Sequence, residues 1–325
     1  MLELFYKFEK SKSKNMKTLN DKARGSLLGL AIGDALGTTI EFKKPGTFSP
    51  VSDIVGKGPF HLKAGEWTDD TSMALCLASS LVEMNGFDAK DQIEKYIDWY
   101  QNGYLSSNGV CFDIGNTVRA ALNSYARTKN PYSGSTDTQS SGNGCIMRLS
   151  PVPLFYHNDS EMAIKMSAES SKTTHGSDIC LSACMYMGGI ICAALQNVEK
   201  NTLLSKLFSP IATFWDNHKM TKEIQTIANG SFKTKKPPEI KGTGYVVDCL
   251  EAALWAFYTS DSFEEGVLKA VNLGNDADTT GAVYGQIAGA YYGESGIPDK
   301  FLKKIVKYEL ITGLAENLVA KNNIS

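Results

Sequence analysis

GSLLGLAIGDALG, residues 25–37, sets glycines at 25, 29, 33 and 37, a spacing of four that draws one smooth stripe down a helix. Each such glycine costs up to about 1 kcal/mol against alanine in a helix interior. Close backbone approach by a second helix is the usual compensation. GAVYGQIAGAYYG repeats the device near the other end of the chain, with glycines at 281, 285, 289 and 293. Two helices with matching smooth faces are expected to cross tightly in the core, bringing the loops at their ends into one place.

Between these stripes the periodicity is helical almost throughout. Residues 69–84 are apolar on nearly every face and predict a helix buried on all sides. QIEKYIDWYQNG predicts an amphipathic helix presenting Ile93, Tyr96, Ile97 and Tyr100 on one face. Further helices are expected at 160–171, 177–195, 220–229, 245–258 and 262–273, with polar loops at YSGSTDTQSSGNG and at NGSFKTKKPPEIKGTG, which carries the Pro-Pro pair. Alternating strand patterns are weak, and no repeat or composition shift cuts the chain. The expected fold is all-α: a single domain of orthogonally packed helices over 21–325, preceded by a lysine-rich extension at 1–20 that is flexible or docks on a partner through Leu2, Phe5 and Phe8.

Composition limits the functions. With 325 residues, 42% of them apolar, the chain can bury a sizeable core. A net charge of -2 argues against a general nucleic-acid or anionic-membrane binder, both of which need a basic surface. Seven cysteines, odd in number and set among apolar neighbours, read as buried thiols in a reducing compartment, with no zinc spacing. No run reaches the roughly 18 to 20 apolar residues of a membrane span. SLLGLAIGDALG mimics a signal peptide only if translation began at Met16, and Asp34 interrupts it. A cytoplasmic protein acting on a small molecule or another protein is expected.

Two helix starts carry unusual chemistry. WTDDT places Thr68, Asp69 and Asp70 before one helix, and GNDADTT places Asp276, Asp278 and Thr279 before another. Either alone reads as capping, for which Thr and Asp are preferred. Capping uses one such residue, however, and here each start has two carboxylates and a hydroxyl. The positive end of a helix repels a cation, so extra acids are needed to hold one there. Asp69, Asp70, Asp276, Asp278 and Glu41 together match two divalent ions, and an all-oxygen set selects Mg²⁺ or Mn²⁺ over zinc or copper.

GSLLGLAIGDALGTTIEF, GEWTDDTSMAL, FDIGNT, GNGCIMRLSP, Thr174-His175, GYVVDCLEAALWAF and NLGNDADTTGAVYGQIAGAYYG occur in this order in the ADP-ribosylglycohydrolase family. The chain resembles its bacterial branch, which includes the dinitrogenase reductase-activating glycohydrolases and toxin-immunity ADP-ribosylhydrolases. The resemblance covers about residues 20–320. It implies an all-helical fold, a binuclear magnesium or manganese centre, and removal of ADP-ribose from modified protein, with arginine as the typical linkage.

Position by position, the resemblance implies Thr68, Asp69, Asp70, Asp276, Asp278 and Thr279 as metal ligands, with Glu41 beside the second ion. It implies Asp113 as the acid near the scissile bond, where the bland alternative is an N-cap. Asn143, Gly144 and Arg148 of GNGCIMR would cradle the diphosphate, or form a plain turn. His175 would lie near the nucleotide, or serve structure alone, and the family's proline after this pair is absent here. Tyr245 would approach the ribose, or pack in the core. Members resembling GPFHLKAGEWTDDTSMALCLASS and SSNGVCFDIGNT suggest a second role, neutralising an ADP-ribosyltransferase toxin by reversal or by blocking it with residues 1–20. A retired, crystallin-like or ADP-ribose-sensing member is the third reading, and retention of every acidic position argues against it.

Overall fold

The structure is a computed structural model that describes residues 18–320. The longer helices are α1 (Leu19–Gly37), α2 (Asp69–Met84), α3 (Ala89–Asn102), α4 (Asn116–Thr128), α5 (Ser160–Lys172), α6 (Asp178–Leu195), α7 (Lys222–Ala228), α8 (Val246–Tyr258), α9 (Phe263–Val271), α10 (Ala277–Tyr292) and α11 (Tyr308–Ala320). Among the described residues there is no sheet, only isolated bridges such as Gly142 to Tyr245. The fold is all-α. The expected extension lies outside the described residues except for its last three, and α1 opens at Leu19, where the Thr18 hydroxyl caps the Asp21 N–H.

α1 and α10 form the central pair. A Cβ on Gly29 would lie 2.3 Å from the Gly285 carbonyl oxygen, one on Gly33 2.1 Å from that of Gly281, and one on Gly25 2.5 Å from that of Gly289. The register descends along one helix as it climbs the other, so from Gly25 to Gly37 the two run antiparallel for about three turns with backbone against backbone. Only glycine permits this approach. The consequence is positional: the end of α1, leading to Glu41, meets the start of α10, with Asp276 and Asp278.

α2 is buried over most of its length, as its apolar faces predict. α3 differs from expectation. Its fully buried residues are Gln92, Ile93, Tyr96 and Trp99, while Ile97 and Tyr100 are only partly covered. The stripe is rotated because Gln92, polar by sequence, finds partners inside: its amide lies 2.9 Å from the Tyr96 hydroxyl and 3.1 Å from the Ser170 carbonyl. α6 also departs from expectation, because by length and composition it could cross a membrane; 83% of it is buried within the fold, as a core helix is. All seven cysteines are free thiols, six of them buried.

Candidate active site

The two acidic helix starts meet at the base of a cavity of about 810 Å³, lined by Glu41, Asp69, Asp113, Asp276, Asp278 and Thr279 together with the 142–144 turn. Neither start is capped by the side chain at its own N-cap: Thr68 and Asp276 make no capping bond. The caps come from elsewhere. Both carboxylate oxygens of Asp34, on α1, accept from the start of α2, from the Thr68 N–H at 2.9 and 3.1 Å and the Thr71 N–H at 3.1 Å. Glu41 accepts from the Ala277 N–H at 2.9 Å and the Asp278 N–H at 3.3 Å at the start of α10. With these borrowed caps in place, Asp69, Asp276 and Asp278 line the cavity, while Asp70 is buried outside the lining.

The acids fall into two groups of close ligand atoms, Asp34 with Asp70 and Asp278, and Glu41 with Asp276 and Asp278. Asp278 belongs to both. Among the described residues, no lysine or arginine pairs with any of them, and Asp70 Oδ1 is buried without a partner. Burial pushes Asp34 up to about 6 and Glu41 up to about 8. Burial, then neighbouring negative charge, likewise pushes Asp69, Asp70 and Asp278 well above the usual carboxylate range. Uncompensated buried carboxylates are costly. An orphaned oxygen and an all-oxygen donor set fit a hard divalent cation.

The remaining expected residues distribute as follows. Thr68 lies below the cavity, its hydroxyl 3.0 Å from Asp34 Oδ1 and 3.1 Å from Asp70 Oδ2. Asp69 and Thr279 line the cavity, and the Thr279 N–H donates to Asp278 Oδ1 at 2.7 Å. Asp113 lines it too and is no cap, since α4 begins at Asn116 after Gly115; burial and the nearby Asp276 raise its pKa. Asn143 donates through Nδ2 to Asp276 Oδ2 at 2.8 Å, so its amide holds an acid at the cavity floor.

Arg148 is not among the cavity-lining residues. It is 1% exposed, with its guanidinium 4.6 Å from the Tyr96 ring centre and Nη2 donating to Thr174 Oγ1 at 2.6 Å. His175 lines the cavity at 1% exposure. Tyr245 is neither core nor cavity lining: it is 38% exposed, while the preceding Thr243 and Gly244 face the cavity. The sequence reading missed Asp34 as a site residue, having met it as a flaw in an apolar run. A lone acid on an otherwise buried helix face was the available signal. Phe42 was missed as well; it sits at the rim, 67% exposed and at φ 63°, with its ring 6.2 Å from Phe60, which is 5.5 Å from Phe112.

The all-α shell around this acidic cavity has a solved counterpart among the glycohydrolases. It matches, over 94% of this chain and 99% of the other, a solved structure titled ADP-ribosylglycohydrolase-related protein complex, with a TM-score of 0.82 and 40% identity. The ADP-ribosylglycohydrolase family model matches residues 15–324, and the chain belongs to that family. It is 44% identical over 300 residues to ADP-ribosylarginine hydrolase Tri1 of Serratia proteamaculans (strain 568), covering 92% of this chain and 79% of the relative. It is 30% identical over 295 residues to the ADP-ribosyl-[dinitrogen reductase] glycohydrolase of Rhodospirillum rubrum, covering 89% and 91%.

Proposed function

We propose that the chain removes ADP-ribose from modified arginine side chains of protein, hydrolysing the N-glycosidic bond between C1″ of the distal ribose and the guanidinium. The observation that carries this reading is the cavity of about 810 Å³ lined by Glu41, Asp69, Asp276, Asp278 and Asp113, where Asp278 is shared with a second, buried acid group of Asp34 and Asp70. Asp69, Asp70, Asp276, Asp278, Glu41, Thr68 and Thr279 would hold two divalent ions, Mg²⁺ or Mn²⁺. Asp34 would orient Thr68 from beneath. When bound, such ions supply Lewis acidity toward ribose oxygens and lower the pKa of a bound water.

Asp113 stands in the cavity wall with its side chain unused by any helix cap. There it takes the proton of the attacking water or manages the proton on the departing nitrogen. Asn143 fixes Asp276, and the 142–144 turn with His175 lines the side where the nucleotide portion lies. Asp113→Ala is expected to slow release of ADP-ribose from arginine-modified protein about a hundredfold or more while divalent-ion binding, measured by calorimetry, is retained. Unchanged release would overturn the assignment.

A second role, reversing the damage of an ADP-ribosylating toxin, is favoured by one observation: the two segments that resemble immunity proteins meet through Phe60 and Phe112, whose ring centres lie 5.5 Å apart. Protection of cells that is lost in Asp113→Ala supports reversal. Protection that survives in that variant, and disappears on deleting residues 1–17, supports blocking instead.

A further inference from the structure

His175 is held by more contacts than a chance lining residue needs. Its backbone N–H donates to Ser171 O at 2.7 Å and its carbonyl accepts from Ser171 Oγ at 2.7 Å. Its ring fits against Gly144, where a Cβ would lie 2.8 Å from His175 Cε1. A side chain at this position of the turn would therefore displace the imidazole. Nδ1 lies 2.8 Å from Thr174 Oγ1. Nε2 has no hydrogen-bond partner among the described residues, although the side chain is buried and lines the cavity.

The direction of these bonds follows from chemistry. A guanidinium only donates, so at 2.6 Å Thr174 Oγ1 accepts from Arg148 Nη2. Thr174 Oγ1 has no other hydrogen-bond partner among the described residues, so His175 Nδ1 is the one acceptor within reach of the hydroxyl's own proton, and that arrangement places the ring proton on Nε2. Burial, and next the Arg148 charge, push the His175 pKa down to about 3, so the ring is neutral. Arg148 is itself fixed by its seat on Tyr96.

We propose that Arg148 and Thr174 are positioning residues that lock His175 as its Nε2–H tautomer, making it a neutral, directed donor to an acceptor oxygen of the bound nucleotide sugar. The ligand part of this proposal rests on the ADP-ribose reading above. The tautomer part does not.

The test uses the full chain labelled with ¹⁵N. Long-range ¹H–¹⁵N correlation reports the tautomer, with the His175 signals assigned by their loss in His175→Gln. The wild-type chain is expected to show protonated Nε2 and bare Nδ1 between pH 6 and 8, and Thr174→Val to lose that single-tautomer pattern. ADP-ribose titrated by calorimetry is expected to bind Thr174→Val about tenfold more weakly, the loss of one hydrogen bond. Thr174→Ser, which keeps the hydroxyl, is expected to restore both the spectrum and the affinity, so a mere packing defect is distinguished. An Nδ1–H tautomer in the wild type overturns the proposal, as does wild-type affinity in Thr174→Val or equal weakness in Thr174→Ser. If the wild-type chain binds no ADP-ribose, the functional reading fails and the spectrum alone decides the relay.

Discussion

Asp278 is the residue on which the two acid groups turn, since it contributes to both. A count of bound ions therefore separates it from its neighbours. Calorimetric titration with Mn²⁺ is expected to find two ions per wild-type chain, one in Glu41→Gln and none of comparable affinity in Asp278→Asn. Two tight ions in Asp278→Asn would remove it from the shared position. His175 makes a different prediction, about pH. Its native pKa is depressed to about 3 from an unfolded value of 6.5, with Arg148 as the charge facing it. Its contribution to stability is thus complete above about pH 6.5 and is lost as pH falls toward 3, because only the unfolded chain takes up the proton. The slope contributed is about 1.4 kcal/mol per pH unit. Urea denaturation is expected to show a shallower acid-side decline for His175→Gln than for wild type; identical slopes would show that the ring is protonated in the native state.

At the level of elements, the borrowed caps explain why the two helix starts are so acidic while their N-cap side chains, Thr68 and Asp276, make no capping bond. Asp34 and Glu41 take over the N–H groups of α2 and α10, which satisfies the orphan donors that every helix start presents. The acids at the starts were legible in the sequence because they stand in short runs. Their release from capping was not, because the replacing carboxylates come from α1 and the turn after it. The glycine stripes were legible for the same local reason, and their energetic role can be tested by contrast. Gly33→Ala would set a Cβ 2.1 Å from backbone atoms of Gly281 that have nowhere to go, and is expected to lower stability by about 3 kcal/mol or more. Gly313→Ala, within α11 and with nothing within 4 Å of the added carbon, is expected to stabilise by about 0.5 to 1 kcal/mol. Midpoints in urea measure both, and a tolerated Gly33→Ala would refute the backbone-contact account.

For the whole molecule, a cation held by the acid groups would couple its binding to stability. A cation that binds the folded chain at a thousand times its Kd adds about 4 kcal/mol, and its removal leaves desolvated carboxylates facing one another. Calorimetric melting with EDTA is expected about 5 °C or more below melting with Mn²⁺ or Mg²⁺; coincident curves would deny a tight site. The helical character, the two smooth stripes and the acid-rich helix starts are all legible in the linear chain, because periodicity, glycine spacing and charge runs are properties of neighbouring residues. The packing of distant segments, by contrast, settles that α1 and α10 run antiparallel, that Asp34 sits inside the acid group, that Gln92 is buried, and that Arg148 bonds to Thr174 outside the cavity lining. Those depend on which distant polar partner each buried group finds, and a buried donor or acceptor takes the partner that the fold brings within about 3 Å.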